Sequence, residues 1–169
     1  MSRLPSLPPE LRADCSACVG LCCVIPPYDA VQGFGFDKPA ETPCRHLCAD
    51  HRCGIHDTLL PQGFSGCVAF DCLGAGQALT ALAVQRFGSA DWRARPDVAR
   101  WLFEAYAGLR RLHDWRARLW LASAVAGLEA RALMTELETG AAQAPDWSAE
   151  RWQALQQQVD AALAPLARE

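Results

Sequence analysis

The cysteines of this 169-residue chain are both numerous and local, since all nine lie within the first 72 residues. Eight of them form one pattern, which begins as C-x-x-C-x-x-x-C-C and continues with four single cysteines: Cys15, Cys18, Cys22, Cys23, Cys44, Cys53, Cys67 and Cys72. A packed core does not need adjacent thiols, whereas zinc and iron are held tightly where several soft thiolate donors converge. The pattern therefore predicts a metal-binding head.

The surroundings of the thiols favour metal over disulfides or metal-free redox thiols. The first residues, MSRLPSLPPELRADC, lack the apolar run of a signal peptide, and no stretch of 18 apolar residues could span a membrane. We therefore expect a cytoplasmic protein without membrane contact, in a compartment where thiols stay reduced. Nine is also an odd number for a disulfide framework.

The chain divides into three segments by composition. Residues 1–13 form a proline-containing leader that we expect to be extended. Residues 14–73 are rich in proline and glycine and show no sustained helical or strand period, so they predict loops and short turns. Such a segment buries little apolar surface by itself, and a bound metal would supply the missing stabilisation. Residues 74–169 predict a helical body.

The body shows helical periodicity throughout. A helix is predicted from about Gln77 to Phe87, and Pro96 stands at the first position of a long amphipathic helix whose apolar residues recur every three or four positions. This pattern bends near Gly127 and resumes over 128–137, and Ser148 is a good N-cap for a final helix. The predicted fold is mainly α, with an irregular head packed on a bundle of three to four helices.

The spacing of the cysteines suggests how they divide. Cys15 and Cys18 form a tight knuckle that can bind one ion. Side chains of the neighbours Cys22 and Cys23 diverge, so we expect them to serve two different ions or to share one cluster. Eight thiolates then form two four-thiolate sites or one multinuclear site, and the sequence leaves open which cysteines share an ion.

The remaining potential ligands are predicted to lie outside the metal set. Cys48 follows Cys44 by four residues and is interpreted as a spare packed thiol. Imidazole suits zinc and iron alike, but eight thiolates already satisfy two tetrahedral ions. His46, His51 and His56 are therefore expected on the surface or behind the ligands.

Charge is spread unevenly and limits the partners. Residues 14–72 carry seven acidic side chains against three basic ones, which disfavours nucleic acid at the cysteine-rich head. Residues 86–118 carry eight arginines against four acidic residues. These arginines predict the solvated face of a helix, or a surface for an acidic protein partner.

The cysteine pattern, together with Pro43-Cys44, the segment 52–56 and Gly66-Cys67, resembles the zinc- or iron-chelating CxxCxxCC domain family of bacteria. Where that family has tyrosine, this chain has His56, and its adjacent pair stands one residue further from the knuckle. The strings GLCCV, DKPA, TPC, RCGIHD and GAGQ are similar to the N-terminal region of actinobacterial pentapeptide-repeat proteins, up to about residue 125. No five-residue repeat follows Gly140.

This resemblance implies metal chelation and supplies no established reaction. A similar cysteine array occurs in flagellin lysine N-methylases, so an iron–sulfur cluster is an alternative to mononuclear metal ions. The sequence thus predicts a cytoplasmic protein that chelates zinc or iron through its eight pattern thiolates, with a role in metal handling or in protein contacts through the helical body. The alternative is an iron–sulfur enzyme or electron carrier, although no catalytic constellation is visible.

Overall fold

Helices provide the regular structure of the chain, and the prediction of a mainly α fold with a helical bundle is confirmed. The computed structural model describes residues 6–126 and 130–165. The α-helices are α1 (Leu21–Val24), α2 (Ser65–Ala69), α3 (Ala75–Phe87), α4 (Pro96–Ala126), α5 (Arg131–Gly140) and α6 (Ala149–Leu163). Short 3-10 turns occur at Pro9–Leu11, Cys15–Ala17, His56–Thr58 and Ala144–Asp146, with a π turn at Ala30–Phe34. Two isolated antiparallel bridges, Tyr28–Lys38 and Leu47–Cys53, pair the loops of the head.

Helix α3 begins at Ala75, two residues before the predicted start at Gln77, and ends before Gly88, which has a φ of 73°. The early start follows from Gly74, whose φ of 80° caps the helix in a left-handed conformation. A Cβ atom at Gly74 would also clash with the carbonyl oxygen of Glu10. The glycine therefore sets both the beginning of α3 and the close approach of the N-terminal segment.

Helix α4 is the centre of the bundle. It begins at Pro96, as predicted, and runs for 31 residues. Its apolar face is at most 1% exposed at Val98, Leu102, Leu109, Leu112 and Leu119. Full burial of each such side chain stabilises the fold by roughly 1.5–3 kcal/mol. The predicted bend near Gly127 falls at residues 127–129, outside the described part of the chain.

The final helix is anchored on α4 by tryptophan packing. Ser148 caps α6 as predicted, because its hydroxyl accepts a hydrogen bond from the amide of Arg151. The indole of Trp152 packs on Gly108 of α4, where a Cβ atom would lie only 2.9 Å from the ring. A larger residue at Gly108 would therefore displace α6.

The head shares its core with the body. Leu21 and Val24 of α1 are fully buried in the same apolar cluster as α3 and α4. Within the predicted leader, Pro9–Leu11 form a turn and Leu11 is buried. Trp92, just before α4, donates its indole hydrogen bond to the carbonyl oxygen of Val19 at 2.9 Å. Among the residues described, no helix combines the length and the apolar character needed to cross a membrane.

Candidate metal centre

One large cavity lies among the loops of the head, and the pattern cysteines converge on it. Its volume is about 1110 Å³. The cysteines in its lining are Cys15, Cys18, Cys22, Cys23, Cys44, Cys53, Cys67 and Cys72. Cys48 is exposed and lies outside this lining. All nine cysteines are free thiols. The eight residues that the sequence pattern singles out are thus gathered by the fold around one space.

Four of these thiols, here called the first thiol group, are linked because their charges influence one another: Cys15, Cys18, Cys22 and Cys72. A Cβ atom at Gly76 would lie 2.8 Å from the sulfur of Cys18 and 3.8 Å from that of Cys72, so both sulfurs pack against this glycine. Burial raises the pKa of the Cys15 thiol, and the neighbouring thiols of Cys18 and Cys72 raise it further. Glycine at position 76 therefore makes the room that two convergent sulfurs need.

The other four, here called the second thiol group, come from loops and from α2: Cys23, Cys44, Cys53 and Cys67. The amide of Cys44 donates to the carbonyl oxygen of Cys23 at 2.8 Å, which ties their two loops together. Burial raises the pKa of the Cys67 thiol to about 11, and the thiols of Cys23, Cys44 and Cys53 add to that rise. Cys23 and Cys44 also raise the pKa of Cys53, as does the exposed Cys48.

The adjacent pair connects the two groups. The sulfur atoms of Cys22 and Cys23 are 4.0 Å apart and share a hydrogen bond. This bond raises the pKa of Cys22 and lowers that of Cys23 to about 7, so Cys23 is the more acidic partner. The next thiols that influence Cys22 are Cys18 and Cys15 of the first group, whereas Cys23 influences Cys44, Cys53 and Cys67 of the second group and also Cys15 of the first.

Backbone amides that follow the cysteines in sequence favour the thiolate form. The sulfur of Cys44 accepts a hydrogen bond from the amide two residues later, at 3.4 Å. Similar amide bonds lower the pKa values of Cys18 and Cys53 against the larger, opposite effect of burial. The donors are His46 for Cys44, Gly20 and Leu21 for Cys18, and Ile55 for Cys53. Hydrogen bonds to a charged form stabilise that form, so these turns are built to hold negative sulfur.

The chemistry of the donor set suits a soft metal, but the sulfurs stand apart around the cavity. Across residues 6–126 and 130–165, no group of three or more His, Cys, Asp or Glu side chains is arranged to hold an ion. A mononuclear site would thus require the thiols to move towards one another. A polynuclear centre with its own bridging atoms would span a wider gap.

The three histidines of the head also line the cavity, but each has other contacts. His46 packs edge-on against Phe64, with ring centroids 5.3 Å apart. His51 lies 3.7 Å from a carboxylate oxygen of Asp91 and packs near Trp92. The expectation that the histidines lie at the surface or behind the thiols remains a prediction.

Sequence reasoning missed two basic residues beside the thiols. Arg52 donates hydrogen bonds to the carbonyl oxygens of Cys15 and Ser16, so it joins the first group's knuckle to the loop that carries Cys53. Lys38 is 4% exposed, which lowers its pKa, while the thiols of Cys44 and Cys23 in the second group raise that pKa. The sequence does mark Lys38, because it is the only lysine among 16 basic residues and it lies in a loop of the head.

Comparison with known proteins gives one informative match. Over 131 residues the chain is 37% identical to the uncharacterized protein YybG of Bacillus subtilis (strain 168). The match covers 77% of this chain and 45% of YybG, so the chain spans less than half the length of that protein. No family model matches the chain, and no solved structure matches it. The resemblance to CxxCxxCC domains and to pentapeptide-repeat proteins therefore stays a prediction.

Proposed function

We propose that this protein chelates zinc or iron through the two thiol groups, four thiolates to each group. The observation that carries this proposal is that all eight pattern cysteines, and not Cys48, line one cavity. Four thiolates complete a tetrahedral zinc site, and the same ligands hold iron–sulfur clusters. The proposed relationship to the CxxCxxCC domains of bacteria supports the same chemistry.

The head would lose protons as it binds metal, because thiolates rather than thiols are the ligands. Amide bonds to Cys18 and Cys44 stabilise that negative charge, whereas burial opposes it. Bound metal would cross-link loops that few apolar contacts hold together. We place this chemistry in the cytoplasm, where thiols stay reduced, with a role in metal handling or in contacts with a protein partner through the helical body.

A second candidate is an iron–sulfur enzyme or electron carrier. It is favoured by the size of the cavity, about 1110 Å³, and by the separation of the sulfurs around it. The thiols of the cavity wall would hold such a centre, since cysteine thiolates are the usual ligands of iron–sulfur clusters. Such a centre would supply electron transfer when bound, and this chain's own residues would hold it and shield it from solvent.

Elemental analysis of anaerobically purified protein tests the proposal. We expect about two zinc ions per chain, at four ligands per ion, or a brown protein containing iron and sulfide. The variant Cys53→Ser should carry less metal because hydroxyl is a poor soft donor, while the matched variant Cys48→Ser should match the wild type. Wild-type protein that takes up neither metal under reducing conditions would overturn the proposed function.

A further inference from the structure

Lys38 is a buried cation whose surroundings provide no carboxylate. Its ammonium donates hydrogen bonds to the carbonyl oxygens of Val24, Pro26 and Pro39 at 3.1, 2.7 and 3.0 Å. The ion pairs found within residues 6–126 and 130–165 do not include it. A buried charge without an opposite charge is costly, so its partner must be sought among other groups.

The groups that can carry negative charge near Lys38 are thiols. Burial lowers the pKa of Lys38, and the thiols of Cys44 and Cys23 raise it. The ring of Tyr28 lies 4.7 Å from the ammonium, but burial raises the pKa of its phenol, which stays neutral. The adjacent carboxylate of Asp37 is occupied with the amide of Ala30 at 2.8 Å.

A buried cation near the thiols would compensate the negative charge of a thiolate site that has bound its metal ion. Four thiolates around a divalent ion leave a net charge of about −2, which is unfavourable in a partly buried site unless a cation compensates it. Arg52, which donates to backbone carbonyls of the first thiol group, is exposed, so solvent and salt screen its charge, whereas Lys38 is buried. Three hydrogen bonds to backbone carbonyls, one of them that of Val24 next to Cys23, hold the ammonium of Lys38 in place.

We infer that Lys38 is the built-in counter-charge of the second thiol group, which strengthens metal binding there and leaves the first group unaffected. This inference rests on the proposed function. Lys38 is a positioning and charge-compensating residue in this reading, because its donors are already used by carbonyl oxygens and it ligates nothing. If Lys38 only tied its loop to α1, a folded variant with a neutral side chain would bind both ions as the wild type does.

The experiment is a cobalt titration of the full-length protein against a competing chelator, followed by the thiolate-to-cobalt absorption. Lys38→Met should weaken one of the two cobalt ions by about tenfold or more and leave the other unchanged. Lys38→Arg, which keeps the charge, should recover most of that loss. Arg116→Met serves as the matched control, because Arg116 is also buried, 8% exposed, but contacts Glu10 and Glu138 rather than thiols. It should leave both ions unchanged.

Retained cobalt at the first group shows that a variant has folded. If Lys38→Met does not retain cobalt at the first group, Lys38→Gln is used instead. The glutamine amide is uncharged but can still donate hydrogen bonds to the carbonyl oxygens. Equal weakening of both ions, wild-type affinity in a neutral variant, or unfolding of both neutral variants would overturn the inference. Wild-type protein that takes up neither cobalt nor zinc nor iron would overturn the proposed function as well, so the two failures are distinguishable.

Discussion

At the scale of single residues, the position of a cysteine relative to its loop decides whether it reaches the cavity. Cys48 is exposed, and its amide donates to the carbonyl oxygen of Arg52 at 2.8 Å, which closes the small loop between Cys44 and Cys53. The eight cysteines in the cavity wall could be selected from spacing alone. Their division into two groups could not, because it depends on how loops far apart in sequence fold together.

The adjacent pair gives the sharpest prediction at this scale. Cys22→Ser should remove a ligand from the first thiol group, and Cys23→Ser should remove one from the second, because the two thiols have different neighbours. In cobalt-substituted protein, each variant should lose a different part of the thiolate-to-cobalt spectrum and keep the rest. Identical spectra from the two variants would show that both thiols serve one ion, and loss of all cobalt from one variant would contradict the division into two groups.

At the scale of elements, the junction between head and body depends on α4. His113 of α4 is 2% exposed and lies 2.7 Å from the carbonyl oxygen of Leu73, the residue after Cys72. Leu73 itself has a φ of 51°, an uncommon left-handed conformation for leucine, so the turn is held from outside. The helices were predictable from apolar periodicity, whereas this contact was not, because a single histidine on a helix face does not reveal its partner.

The histidine makes stability depend on pH. Burial lowers the pKa of His113 in the folded protein below its ordinary value of 6.5, so the unfolded chain binds the proton more readily. The stabilisation is therefore complete above pH 6.5 and is lost as the pH falls towards the folded pKa. Urea unfolding of wild-type protein should give a lower free energy of unfolding at pH 5.5 than at pH 7.5.

The matched variant is His113→Asn, whose side-chain amide keeps a donor near Leu73 but does not titrate. We expect this variant to show a smaller pH dependence over the same range, with a loss of about 1–3 kcal/mol at pH 7.5 if its donor fails to reach the carbonyl. An unchanged pH dependence in His113→Asn would assign the effect to other groups.

At the scale of the whole molecule, stabilisation is distributed unequally. The fully buried apolar side chains cluster on α3 to α6, with Leu21 and Val24 of α1 as the main contribution from the head. Between residues 26 and 72 the buried apolar residues are few, chiefly Tyr28, Cys44 and Phe64. The sequence predicted this contrast, since proline, glycine and aperiodic polarity mark segments with little core. It could not predict that α1 docks into the core of the body.

Metal removal should therefore affect the two parts differently. If bound metal cross-links the loops of the head, a strong chelator should open residues 24–66 while the helical signal in circular dichroism largely persists. Chymotrypsin provides a local readout, because Tyr28 and Phe64 are 7% and 4% exposed and become cleavable only when the head opens. Tyr106 and Trp115 of α4, which are equally buried, should stay protected and serve as internal controls. Addition of zinc to the metal-free protein should restore protection. If the rate of cleavage at Tyr28 and Phe64 changes with neither chelator nor zinc, the head is stabilised by its own contacts and not by metal.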